Sequence, residues 1–147
     1  MIKRIAHISD VHIQLLKRQG EYKEVFERLY KSLKDKDIDL ITITGDLFHS
    51  RAHLSPEAVD LATSFFNGLC EISNVVLIAG NHDAVLTASN TRMDAISPVV
   101  SLFNQGRSDD ENRVHYYKNS GVYEYDNIDF VLYSVLDYLD PDFKECR

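Results

Sequence analysis

At 147 residues, 44% hydrophobic and 27% charged, the chain has the size and balance of one ordinary domain, long enough to bury a core without disulfides or a structural metal. A net charge of −7 speaks against a protein that holds nucleic acid by broad electrostatics. Cys70 and Cys146 lie far apart and fit no CxxC pattern, which suggests neither a zinc knuckle nor a redox pair and leaves reduced thiols and a cytoplasmic location as the expectation.

The charge is unevenly spread: residues 1 to 36 carry nine Lys/Arg against five Asp/Glu, leaving seven against eighteen in the remainder. A basic surface would therefore lie near the N-terminus, although a solvated helix face accounts for most of these residues. Lys3, Arg4 and His7 break the apolar start of the chain, so no signal peptide is read there, and no run approaches membrane-spanning length.

In chain order, Ile2 to Ser9 predicts a first strand. A polar, basic loop follows (Gln14, Lys17, Arg18, Gln19, Gly20). Tyr22, Val25, Phe26, Leu29 and Leu33 then recur at helical spacing, with Glu24–Arg28 and Glu27–Lys31 as i,i+4 pairs on the other face. Ile38 to Thr44 predicts the second strand. Ser55 and Pro56 supply an N-cap and a first-turn proline, and Ala58, Val59, Leu61, Ala62, Phe65, Phe66 and Leu69 form the apolar stripe of a second helix. Val75 to Ala79 is the third strand. This order implies a parallel sheet built from βαβ units, in which ligands collect outside the carboxyl ends of the strands.

Beyond Asp83, Thr91 to Ser97 reads as a short helix stopped by Pro98, followed by another helical piece to Phe103 and a polar loop from Gln105 to Arg113. Val122 to Tyr125 and Ile128 to Val135, flanking the turn residues Asp126 and Asn127, predict an antiparallel hairpin added to the sheet system. The last dozen residues carry no clear element. The expected fold class is α/β, a βαβαβ parallel sheet with helices plus a C-terminal antiparallel hairpin, as one domain over residues 1–147.

Three strand edges carry the chemistry. The first opens onto Asp10 and His12, the second, LITITGDLFH, delivers Asp46, and the third opens onto Gly80, Asn81, His82 and Asp83. Side chains two apart on an extended segment point the same way, so Asp10 and His12 can grip one ion. Asp46 has two oxygens with which to bridge two ions, and Asn81 offers a neutral carbonyl oxygen. Oxygen and imidazole donors without thiolate suit Mn²⁺, Fe²⁺, Zn²⁺ or Mg²⁺. Two such ions about 3.5–4 Å apart can hold a hydroxide between them and clamp a phosphate for in-line displacement. His82 is left to stabilise or protonate the leaving oxygen, with Asp83 expected to hydrogen-bond and orient it.

The ordered set DVH, GDLFH and GNHD, spaced by 36 and 35 residues, resembles the calcineurin-like metallophosphoesterase superfamily, whose pattern is DxH, GDxxx, GNHD/E, then GH and GHxH. The resemblance implies a layered α/β sandwich in which Asp10, His12, Asp46 and Asn81 are metal ligands. His49 closing GDLFH, the opening His7-Ile8-Ser9-Asp10 and the run Arg92-Met93-Asp94-Ala95 are similar to the DNA-repair nuclease branch, comprising the SbcD-like exonuclease subunit and phage recombination endonucleases. That branch implies a two-metal, Mn²⁺-dependent phosphodiesterase acting on DNA, with His49 near the phosphate, a coiled-coil ATPase subunit as partner, and a homodimer. Phosphoprotein phosphatases tend to have GDxVDRG and GNHE, and neither is present.

The resemblance covers residues 1 to about 100 and fades beyond. The histidines are His7, His12, His49, His53, His82 and His115, so nothing after residue 115 supplies GH or GHxH. The 147 residues are therefore expected to be the N-terminal part of a longer phosphoesterase, and a catalytically inert fragment or a small-substrate phosphoesterase stands as the alternative.

Blander roles compete at several positions. His82 could support a neighbouring ligand instead of acting on substrate. His7 differs in strand parity from Asp10 and is expected to face the core or a neighbouring layer, while His53 and His115 read as surface or packing residues. Lys17, Arg18, Gln19 and Arg92 could meet a nucleic-acid backbone, with a solvated loop as the other reading. Tyr116, Tyr117, Tyr123, Tyr125 and Tyr133 at strand spacing point to sheet packing over base stacking.

Overall fold

β-Branched runs become strands and amphipathic runs become helices in a computed structural model that describes residues 1–14, 18–51, 54–86 and 92–137. In order these are β1 (Ile5–Ile8), α1 (Gln19–Lys34), β2 (Leu40–Thr44), α2 (Pro56–Cys70), β3 (Val75–Ile78), α3 (Ile96–Gln105), β4 (Val114–Tyr116), β5 (Gly121–Tyr125) and β6 (Ile128–Leu132), with a 3₁₀ turn at Val135–Asp137. Lys17, His53, Thr91, Cys146 and most of the final dozen positions lie outside the described residues. No described helix is long and apolar enough to cross a membrane.

β1 to β4 form one parallel sheet in the order β1-β2-β3-β4, and β5 and β6 form a separate two-stranded antiparallel sheet. Registers of Ile5 on Leu40, Ile41 on Val75 and Val75 on Val114 align the strand ends. Because each crossover steps to the next strand in the same direction, right-handed connections place α1, α2 and α3 on one face. Ile41, Ile43, Val75 and Leu77 are buried in one cluster with Phe26, Phe65, Phe66 and Val99 from these helices, and the Phe26 and Phe65 rings stack with centroids 4.2 Å apart. Burial in that cluster pushes the Cys70 thiol up to about 11, so it behaves as a small apolar side chain.

The opposite sheet face meets the hairpin. Ile5, His7, Thr42, Thr44, Val76 and Ile78 line a cavity there with Tyr117, Phe130 and Leu132. His7 therefore faces the neighbouring layer, its Nε2 2.7 Å from the Thr44 hydroxyl. Tyr117 and Tyr123 stack at 4.0 Å, and the half-buried His115 meets the Tyr125 ring edge-on at 5.2 Å. These are the packing roles expected of them.

Several boundaries differ from expectation for identifiable reasons. α2 begins as predicted, with the Ser55 hydroxyl accepting the Ala58 N–H at 3.2 Å and Pro56 in the first turn. Pro98, by contrast, does not stop a helix but sits in the first turn of α3, where a missing N–H costs nothing. The Asp94 carboxylate starts that helix, accepting from the Ile96 and Ser97 N–H groups at 2.8 and 2.6 Å. The resulting crossover leads to β4, a fourth parallel strand too short at three residues to show a pattern. α1 begins inside the expected basic loop, with Gln19 helical and Arg18 paired to Glu21 at 2.9 Å. Val25, placed on the apolar face by spacing, is 58% exposed.

Candidate metal centre

The carboxyl ends of β1 and β2 are drawn together by main-chain bonds that continue past the strands. The Asp10, His12 and Ile13 N–H groups donate to the Gly45, Asp46 and Leu47 carbonyls at 3.3, 2.9 and 2.8 Å, and the His49 N–H returns to the Ile13 carbonyl at 3.1 Å. The Tyr22 hydroxyl on α1 donates to the His12 carbonyl at 2.5 Å and holds the first loop from the side.

Two glycines allow β2 and β3 to end so close together. A Cβ at Gly45, whose φ is +95°, would stand 2.7 Å from the Gly80 Cα, and one at Gly80 would stand 2.1 Å from Asp46 Oδ1. In that space Asp46 Oδ1 accepts the His82 N–H at 2.9 Å.

Asp10, His12 and Asp46 have φ values of 56°, 48° and 52°. The expectation that Asp10 and His12 share a side because they alternate along a strand is therefore corrected: the strand has ended, and left-handed backbone turns bring them together. That conformation is sparsely populated for non-glycine residues and gathers at functional sites. His12 Nε2 lies 3.6 Å from Asp10 Oδ1 and 3.7 Å from Asp46 Oδ2. These separations exceed a hydrogen bond but fall within the span of two coordination bonds of about 2.1 Å each. His12 Nδ1 is buried without a hydrogen-bond partner among the described residues. Asp10, His12 and Asp46 thus fit a divalent ion held by two carboxylates and an imidazole.

Asn81 is exposed on the turn after β3, where its main-chain carbonyl lies 3.4 Å from an Arg51 guanidinium nitrogen. His82 and His49 stand beside His12, their ring centroids 4.9 and 5.7 Å from it. The His82 ring is oriented through Nδ1, 2.8 Å from the His49 carbonyl.

Asp83 does not supply that orientation. Its carboxylate is fully buried and accepts the Leu47, Phe48 and Gly80 N–H groups at 3.2, 2.9 and 2.9 Å. It staples the second loop to the third. Burial raises its pKa above the ordinary carboxylate range; the three N–H groups oppose that shift and the Asp46 charge adds to it. Ser9, named in the sequence only as part of the opening run, donates its hydroxyl to Asp10, and Arg51 gave no sequence signal at all. An arginine in a loop carries no spacing signal. Arg92, a candidate nucleic-acid contact by sequence, pairs with Asp137 and donates to Asn119 at 2.7 Å, bracing the approach to the hairpin.

Carboxylates and imidazoles gathered at the carboxyl edge of a parallel sheet mark an α/β protein with a candidate site for divalent metal. Residues 3–145 match the calcineurin-like phosphoesterase family, and the chain belongs to it. It is 44% identical over 139 residues to "Uncharacterized protein R555" of Acanthamoeba polyphaga mimivirus, covering 92% of this chain and 10% of that protein. It is 34% identical over 109 residues to the DNA double-strand break repair protein Mre11 of Methanopyrus kandleri, covering 70% and 23%. Over 106 residues it is 31% identical to the SbcD component of the nuclease SbcCD of Bacillus subtilis, covering 66% and 25%. The crystal structure of Pseudomonas putida nuclease MPE superposes with a TM-score of 0.45 at 30% identity, covering 54% of this chain and 40% of that one. The chain spans between a tenth and a quarter of the length of these curated relatives.

Proposed function

We propose that these residues form the N-terminal, metal-holding part of a two-metal phosphodiesterase that acts on DNA in the manner of an SbcD-like nuclease. The observation that carries this reading is the meeting of the Asp10, His12 and Asp46 donor atoms within 4.8 Å of one another, with His82 and His49 beside them. Asp10, His12, Asp46 and Asn81 would hold two divalent ions, Mn²⁺ by resemblance, which supply Lewis acidity toward the phosphate when bound. DNA as substrate is supported by two relatives, one named as a DNA double-strand break repair protein and the other as part of a nuclease. A coiled-coil ATPase subunit and a second copy of the chain are the partners that the same branch suggests.

The chain's own residues set the proton chemistry. With Nδ1–H donating to the His49 carbonyl, neutral His82 carries its lone pair on Nε2, and imidazolium His82 carries a proton there. A protonated Nε2 facing the scissile bond can donate to the leaving oxygen as the P–O bond breaks. His49, exposed at the rim, and the Arg51 guanidinium beside Asn81 can contact non-bridging phosphate oxygens.

Linear and supercoiled DNA, and a small aryl phosphodiester, incubated with the chain and added Mn²⁺ test this reading. Mn²⁺-dependent DNA cleavage that disappears in Asp46→Asn is expected. Hydrolysis of the aryl ester alone would make this a small-substrate phosphoesterase. A second reading, an inert fragment, is favoured by the absence of GH and GHxH from the sequence; hydrolysis of neither substrate, together with no calorimetric Mn²⁺ binding, would establish it.

A further inference from the structure

His12 belongs to two clusters. Its Nε2 lies near the Asp10 and Asp46 carboxylates, and one ring nitrogen from each of His12, His49 and His82 lies within 4.8 Å of the other two. We propose that the three imidazoles form a separate site for a borderline divalent ion, Zn²⁺ foremost, whose occupation withdraws His12 from the carboxylates and engages both histidines assigned to substrate.

The geometry is largely built in advance. The His12 N–H is bonded to the Asp46 carbonyl and the His49 N–H to the Ile13 carbonyl, at 2.9 and 3.1 Å. The His82 N–H is bonded to Asp46 at 2.9 Å, so all three main chains are anchored to one small frame. His82 has its Nδ1 on the His49 carbonyl, the partner that metal-ligating histidines commonly use to orient the other nitrogen toward an ion. The three nitrogens all lie within 4.8 Å of one another, and the ligands of a tetrahedral ion with Zn–N bonds of about 2.1 Å stand about 3.4 Å apart. His49 is exposed, so its ring can turn to bring its nitrogen toward the other two.

The donor chemistry separates the two clusters. Three neutral imidazoles and a water make a set that Zn²⁺, Co²⁺ and Ni²⁺ occupy readily, whereas paired carboxylates suit Mn²⁺ and Mg²⁺. At equal concentration a nitrogen site prefers Zn²⁺ to Mn²⁺ on the general affinity order of divalent metals. The two sites share His12, so one ion excludes the other. Zn²⁺ in the imidazole site is therefore antagonistic to Mn²⁺ in the carboxylate site. That antagonism is a binding property, while its consequence as inhibition rests on the function proposed above.

Co²⁺, whose visible absorption reports a low-coordinate nitrogen site, is the probe, read on the whole 147-residue chain. Wild-type protein should give one intense Co²⁺ band that Zn²⁺ displaces. His49→Ala, at an exposed position, should weaken Co²⁺ binding about a hundredfold or more, since even loss of an outer partner costs about 10–100-fold. Asp10→Asn should leave the band in place, and Zn²⁺ should lower Mn²⁺ affinity in wild type but not in His49→Ala. A band that survives His49→Ala, or that is lost in Asp10→Asn, would overturn the proposal by placing the ion among the carboxylates. Because these readouts are of binding, they are independent of whether the chain cleaves any ester.

Discussion

Asp46 Oδ1 accepts the main-chain N–H of His82 at 2.9 Å, so the acid at the end of β2 holds the turn at the end of β3 with one oxygen. Its other oxygen faces His12. One side chain thus both positions the third loop and presents a donor to an ion, and the space it occupies exists only because residue 80 has no Cβ.

Gly80→Ala should therefore damage the centre directly. The added Cβ would lie 2.1 Å from Asp46 Oδ1 and 2.4 Å from the Asp46 nitrogen, so carboxylate and turn must shift. We expect a loss of about 2 kcal/mol in stability, in the range of an overpacked core. Mn²⁺ affinity should fall at least as steeply as in Asp46→Asn. Urea unfolding and calorimetry on the same variant check the two effects.

Asp83→Ala should be costlier to the fold than any other single change in these loops. It strands the N–H groups of Leu47, Phe48 and Gly80, the first two in buried bonds. Leaving buried donors unpaired costs about 1–3 kcal/mol each, so a net loss of about 3–5 kcal/mol is expected. Asp83→Asn, retaining one oxygen acceptor, should recover part of it. An Asp83→Ala variant as stable as wild type would show that the staple contributes nothing.

Ser55→Ala should cost about 1 kcal/mol, the usual worth of an N-cap side chain. The Ser55 hydroxyl meets the Ala58 N–H at the start of α2, well away from the centre. Metal affinity should be unchanged while the urea midpoint falls.

Acid should destabilise the start of α3. Burial alone would raise the Asp94 carboxyl, but the Ser97 N–H and hydroxyl and the Lys118 ammonium outweigh it and hold the group below the ordinary value. The Lys118 nitrogen is 2.9 Å away. A carboxyl with a depressed folded-state value stabilises the fold above its unfolded value of about 3.9, and that contribution is lost as pH falls through the folded value. Urea midpoints from about pH 6 to about pH 3 should fall less steeply in Asp94→Asn than in wild type.

Much of this architecture was written in local signals. Strand runs ending at Gly45 and Gly80, the Ser55-Pro56 start and the Asp126-Asn127 hairpin turn each depend on neighbouring residues, so spacing alone located them. β4 was missed because three residues carry no period, and Pro98 was misread because the same ring that breaks a helix interior is harmless in a first turn. Within the centre, residue types and their order pointed to Asp10, His12, Asp46 and the histidines. The partners of Asp83 were not legible, since main-chain donors 35 and 36 residues away leave no trace in residue type. Asp10 and His12 were paired for the wrong reason, because a left-handed turn in two non-glycine residues has no signature in composition.

The Asp83 staple also gives the fold a built-in order of events. It joins residues about 35 apart, across a parallel pairing that forms only after an intervening helix has crossed over, and such distant closures are the slow part of folding. While β3 is unpaired, Asp46 lacks the His82 N–H that fixes its Oδ1, and the Leu47 and Phe48 N–H groups lack the Asp83 carboxylate. The proposed metal-holding arrangement is thus complete only once the third strand has joined the sheet, which ties readiness for an ion to closure of the fold.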